Sequence, residues 1–94
     1  MDADQVIIEP LLTEKTNRMR EEHMYAFRVD PRANKLQVKS AIETLFNVHP
    51  TDCRVVNVKG KPKRLRYRKG YTSGWKKAIV TLPPGESIGI FEGA

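Results

Sequence analysis

The segment NKLQVKSAIETLF, residues 34–46, decides the fold. Its apolar side chains fall at Val38, Ala41, Ile42, Leu45 and Phe46, offsets of 0, 3, 4, 7 and 8 that trace one face of a 3.6-residue helix. Asn34 followed by Gln37 has the spacing of a capping box, which sets the start of the helix. Lys35, Lys39 and Glu43 point outward, the last two one turn apart. A helix with a single apolar stripe needs a surface to cover, and the flanking sequence supplies strands on both sides.

Upstream, residues 24–29 alternate, with Tyr25, Phe27 and Val29 on one face and Met24, Ala26 and Arg28 on the other. Asp30-Pro31-Arg32-Ala33 turns the chain into the helix. Downstream, residues 47–51 with Pro50 end the helix, and CRVVNVKGK (residues 53–61) reads as a strand. Its alternation slips between Val55 and Val56, which predicts either a bulge or burial on both faces. Residues 76–82 form the return strand, with Ala78, Val80 and Leu82 on one side, and Pro83-Pro84-Gly85 stops it. Nearer the start, Val6-Ile7-Ile8 broken by Pro10 fits a brief edge strand. Thr13 stands where an N-cap belongs, with Glu14 in the first turn of a short, half-exposed helix running to about Glu22. In the tail, Ile88, Ile90 and Phe91 are expected to pack back on the domain. The order strand, helix, strand, helix, strand, strand predicts an α+β domain: a small antiparallel sheet with helices packed on it and a long basic hairpin between the last two strands.

That hairpin, KGKPKRLRYRKGYTSGWKK (residues 59–77), holds nine of the 17 Lys and Arg residues and none of the 11 Asp and Glu. The other 75 residues are net acidic, so the chain's whole excess of +6 resides here. Like charges at this density need solvent or an anionic partner. Nucleic acid fits: Lys59, Lys61, Lys63, Arg64, Arg66, Arg68, Lys69, Lys76 and Lys77 suit phosphates, and Tyr67, Tyr71 and Trp75 offer faces for bases or sugars. Trp75 serves equally as a side chain packed on the stem of its own strand. A solvated loop without a partner would share the charge but not the interleaved aromatics and glycines. Hairpin connections ordinarily run about two to five residues, and a gap of roughly a dozen marks a functional segment expected to fold against its partner.

Composition narrows the alternatives. A chain of 94 residues is a single domain, 1–94, burying roughly 60–65% of its unfolded surface. Charged residues at 30% and a mean hydropathy of −0.53 are offset by 39% apolar residues, enough for a core. A pI near 9.7 favours polyanions, nucleic acid before anionic membrane. The single Cys53 makes no internal disulfide, so a reducing, cytosolic setting is the default, and Cys53 reads as a buried strand thiol. The acidic start, MDADQVIIEPLL, is neither a secretory signal nor a membrane span.

Three elements carry a resemblance. Pro10-Leu11-Leu12-Thr13-Glu14-Lys15 is similar to the P-x-[VL]-[ST]-E-K element of the bacterial form of the large-subunit ribosomal protein twenty-three family. Asn57-Val58-Lys59-Gly60-Lys61 with Lys63-Arg64 matches its N-V-K-G-K-x-K-R element. Thr72-Ser73 and Trp75-Lys76-Lys77-Ala78-Ile79-Val80-Thr81-Leu82 match its W-K-K-A-x-V-x-L strand. The pattern departs at Pro50, at Cys53-Arg54-Val55 and at Arg66. The resemblance implies a structural constituent of the large ribosomal subunit, bound to its rRNA at the rim of the peptide exit tunnel, with the hairpin directed toward the tunnel. It implies neighbouring ribosomal proteins as partners, and trigger factor and the signal recognition particle as docking factors. Glu14 takes the role of trigger factor contact, and Lys15 joins the expected rRNA-binding residues. Neither a homo-oligomer nor membrane insertion is expected.

Catalysis is not expected, nor is a cofactor or metal. His23 and His49 both neighbour turns, one Cys with two scattered His makes no zinc signature, and Gly60-Lys61 is only a fragment of a phosphate loop. Adjacent Glu21 and Glu22 face different directions on a helix. Two other classes stay open: a non-ribosomal RNA- or DNA-binding module, and a membrane-surface protein. Against the second, Leu65, Tyr67, Tyr71 and Trp75 form no helical apolar face.

Overall fold

The computed structural model describes residues 2–59, 62–64, 69–71 and 74–92. The α+β architecture read from the sequence is the observed one. In chain order the elements are α1 (Ala3–Val6), β1 (Ile7–Pro10), α2 (Glu14–Glu21), β2 (Met24–Val29), α3 (Lys35–Phe46), β3 (Asp52–Val58), β4 (Pro62–Arg64), β5 (Lys69–Tyr71), β6 (Trp75–Thr81) and α4 (Gly89–Glu92). Four strands form one antiparallel sheet in the order β1-β2-β6-β3, and β4 pairs with β5 in a separate two-stranded ladder.

The β2-α3-β3 crossover explains that order. Both strands run antiparallel to β6, hence parallel to each other, and leave a one-strand gap that β6 fills on its return from the hairpin. Directly paired residues share a face, so each rung can be assigned. Tyr25, Val80 and Cys53 form one rung of the inner face, and Phe27, Ala78 and Val55 the next. All but half-buried Val55 are sealed from solvent. Val38, Ala41 and Ile42 of α3 cover them. Phe46 stacks on Phe27 with centroids 5.7 Å apart. Phe91 of α4 meets Tyr25 and Phe27 edge-on at 5.0 and 5.5 Å.

The caps follow the sequence. Asn34 Oδ1 accepts from the Gln37 amide at 2.8 Å while the Asn34 amide donates to Gln37 Oε1 at 2.9 Å. Thr13 Oγ1 accepts from the Thr16 amide at 3.2 Å, and the Thr13 amide donates to Thr16 Oγ1 at 2.7 Å. The helix α3 closes on Asn47 in the left-handed region, φ 53°. Pro10 does lie on an edge strand, where a missing donor costs least.

Several expectations are corrected. The expected brief edge strand is present as β1, but a single helical turn, α1, precedes it and buries Val6 against α3. The register of β3 on β6 runs without a bulge, and Val56 is 36% exposed, so the Val55–Val56 slip reflects an inner face that is filled and an outer face left open. The irregularity lies in β1, between Ile7 and Glu9. Leu45 is 42% exposed and Ile90 46%, whereas Ile88 and Phe91 are wholly buried. Ala26, on the face opposite Phe27, is buried as well, because α2 packs against β2 on that side. The long basic connection itself contains the β4–β5 ladder, with Pro62, Lys63 and Arg64 opposite Tyr71, Gly70 and Lys69.

The C-terminal segment is held at three points: the Phe91 ring, the Phe91 carbonyl, which accepts from Arg20 Nη1, and Glu86. Glu86 accepts from the His49 amide at 3.0 Å and meets His49 Nδ1 at 2.6 Å. The hydrogen bond and charge of Glu86 raise the His49 pKa above its ordinary value, and His49 in turn lowers that of Glu86. Stability from the raised His49 is present below its unfolded value of 6.5 and is lost as pH rises through the folded value. Stability from the lowered Glu86 is present above 4.5 and is lost as pH falls through its folded value.

Two outcomes follow for urea unfolding. Phe91→Ala lowers stability by about 3–5 kcal/mol, and Ile90→Ala changes it by no more than about 0.5 kcal/mol. The gap in midpoint between the wild type and His49→Ala is widest at about pH 5.5 and narrows by about pH 8.5, and a pH-independent gap would show that the ion pair contributes nothing.

Candidate nucleic-acid interface

The outer face of the sheet carries the charge. Its rungs read Arg28, Lys77 and Val56, then Ala26, Ile79 and Arg54, with Trp75 opposite Val58 at the hairpin end. Arg28 and Arg54 are exposed, Trp75 and Lys77 half-buried. The Arg28 guanidinium carbon lies 5.8 Å from the Trp75 ring centroid, a cation–π contact that orients the indole. A Glu9 carboxylate stands 3.9 Å from Arg28 in an exposed pair that holds it only weakly. Trp75 and Lys77 line a groove against α2, whose exposed Lys15 lines the opposite wall.

The expected cations are distributed unevenly. Lys63, Arg64, Lys69 and Tyr71 occupy positions on the β4–β5 ladder. Lys59 is exposed just beyond β3, at the base of that extension. Lys61, Arg66, Tyr67 and Arg68 lie outside the described residues. Lys76 points the other way: it shares the inner face with Val29 and Asn57, and its ammonium donates to the Ala33 carbonyl at 2.7 Å. A charged hydrogen bond of this kind contributes about 1.5–3 kcal/mol and ties β6 to the turn before α3. Glu14 is the exposed first residue of α2, where its charge complements the helix N-terminus.

The sequence reading did not single out Arg28 and Arg54 as candidates. Alternation puts Arg28 opposite Phe27, which was legible. Its approach to Lys77 and Trp75 depends on the β2–β6 register, which no local signal in either strand fixes.

The other reactive side chains have structural settings. Cys53 is buried on the inner face, and desolvation raises its thiol pKa, leaving it a poor nucleophile. Asp30 accepts from the Arg32 amide at 2.8 Å and from its guanidinium at 3.0 and 3.1 Å, which lowers the Asp30 pKa and locks the turn into α3. Among the described residues no three His, Cys, Asp or Glu side chains gather into a metal-binding group, and no helix is long and apolar enough to cross a membrane.

Comparison with known proteins agrees along the whole chain. The family model described as ribosomal protein L23 matches residues 5–90. The large ribosomal subunit protein uL23 of Treponema denticola is 56% identical over 94 residues, covering 100% of both chains. The uL23 proteins of Treponema pallidum and Roseiflexus castenholzii are 51% and 49% identical, again over 100% of both chains. With a match spanning the sheet, the hairpin and the C-terminal segment, this chain belongs to the ribosomal protein L23 family.

Proposed function

We propose that this protein is a structural constituent of the large ribosomal subunit in the cytoplasm, without catalytic activity of its own. It binds large-subunit rRNA beside the polypeptide exit tunnel and packs among neighbouring ribosomal proteins. The family membership supports the ribosomal role. The observation that carries the RNA-binding reading is the concentration of nine cations, unmixed with any carboxylate, in the segment that runs from the end of β3 into β6 and contains the β4–β5 ladder.

A rigid sheet supports such a hairpin well. The strands β3 and β6 that flank it are held in the sheet, so the basic segment is presented to RNA from a fixed base. Lys59, Lys61, Lys63, Arg64, Arg66, Arg68, Lys69 and Lys77 contact phosphates, and Tyr67, Tyr71 and Trp75 contact bases or sugars. Glu14, exposed as the first residue of α2, presents a carboxylate to trigger factor. The signal recognition particle uses the same neighbourhood.

Binding to large-subunit rRNA is expected to fall with salt at a log–log slope on the order of −4 to −5, as roughly six neutralised phosphates require. Replacing Arg64 and Arg68 by Ala reduces the magnitude of that slope by about two and leaves the circular dichroism spectrum unchanged. A slope near zero in the wild type, or lost structure in the variant, removes phosphate contact as the source of affinity. On the ribosome, Glu14→Ala co-sediments with large subunits through a high-salt wash as the wild type does, but recruits less trigger factor. Undiminished recruitment would take the docking role away from Glu14.

A further inference from the structure

Three grooves on the described surface differ sharply in charge. One of about 460 Å³ between α1 and α3 is lined by Asp2 and neutral side chains, with no cation. Another of about 430 Å³ beside the C-terminal segment contains Arg20, but this guanidinium is engaged by the Phe91 carbonyl, and Glu21 and Glu86 stand beside it. The third, about 340 Å³, runs between α2 and the outer face of β6 and holds Lys15 and Lys77 with no carboxylate in its lining. Its floor is apolar, Ala26 and Ile79, its α2 wall includes Met19, and Trp75 closes the end nearest the hairpin.

The geometry points to this third groove, which Trp75 closes at the hairpin end of β6, as a binding site for one unstacked nucleobase of single-stranded RNA. Nothing in the family match assigns such a site, and it rests on the RNA-binding reading above. An apolar floor with an indole at one end suits a flat ring whose two faces must leave water, and base–aromatic stacking does not depend on sequence. The two ammonium groups flank the groove from opposite walls, where the phosphates on either side of an inserted base would pass. The volume falls at the lower end of the 300–1,000 Å³ or so in which small ligands are held, suited to a single base and not to a folded helix of RNA. Trp75 is already oriented by Arg28, so less freedom is lost when a base arrives. An extended peptide would also meet apolar surface here, but without a carboxylate of its own it would leave both lysines unmatched.

Trp75 is the only tryptophan of the chain and reports on its own site. The full-length protein is titrated with a single-stranded oligoadenylate of about six nucleotides, following both indole emission and the anisotropy of end-labelled RNA. Binding is expected to quench the emission. Trp75→Leu weakens the affinity by about 5- to 150-fold while Trp75→Phe retains most of it. Lys15→Glu, an exposed change on α2 far in sequence from the hairpin, abolishes quenching in the otherwise unaltered chain and leaves the urea midpoint in place. Labelled RNA that binds without altering the emission, or quenching that survives Lys15→Glu, would overturn the groove and leave hairpin binding standing. Failure to bind either the oligonucleotide or large-subunit rRNA would overturn both. An acidic, apolar peptide that quenches where RNA does not would make the groove a peptide site and end the proposal.

Discussion

The slot between β2 and β3 is the constraint on which everything else rests. These two strands, joined through α3, do not pair with each other, and β6 enters between them to join β3 to the rest of the sheet. The inner rungs Tyr25-Val80-Cys53 and Phe27-Ala78-Val55 are completed by Val80 and Ala78 of that strand, both at zero exposure. The hairpin that carries the charge is therefore also the connection that closes the core. Loop-closure entropy grows only logarithmically, about 0.6 kcal/mol for each doubling of length, so a long basic insertion costs the fold little.

The same strand divides two kinds of lysine. Lys76 and Lys77 are neighbours in a basic run, yet the pleat sends them to opposite faces. Lys76 reaches the Ala33 carbonyl and fastens β6 to the turn that Asp30 and Arg32 already lock, so its charge is used within the fold. Lys77 faces outward beside Arg28 and opposite Val56, in line with Trp75. A count of positive charges in residues 59–77 treats them alike, whereas the sheet makes one a structural tie and leaves the other half-buried on the outer face.

What could be read beforehand were features with short-range physics. The N-cap at Thr13, the capping box at Asn34 and the stripe Val38, Ala41, Ile42 involve residues three or four apart, and each is found as expected. The direction of Lys76 was legible too, since it has the parity of Ala78, Val80 and Leu82, but its place in a basic run hid the signal. The rest needed the tertiary structure. Single-turn α1 and α4 are too short to show periodicity, and Leu45 extends the helical stripe without reaching the sheet. Val56 is apolar on a part of the outer face that α2 leaves exposed. The approach of Arg28 to Trp75 depends on pairing between strands almost fifty residues apart in sequence, which no local pattern encodes.

The asymmetry of the two faces gives the molecule its direction. Helices α1, α3 and α4 and the C-terminal segment all cover the inner face, which is why Phe91 and Ile88 are sealed so completely. Only α2 lies on the other side, and it shields Ala26 while leaving Arg54, Val56 and Arg28 in solvent. Apolar and cationic side chains interspersed on a flat strand surface are poorly served by water alone, since the Val side chains gain nothing from it and the cations repel one another. A polyanion with flat apolar bases relieves both at once, and β3 and β6 lead into the basic segment at the end of the sheet where Trp75 pairs with Val58. The charge pattern and the sheet topology therefore fit the proposed approach, in which RNA meets the outer face at its hairpin end while the sealed face holds the scaffold behind it.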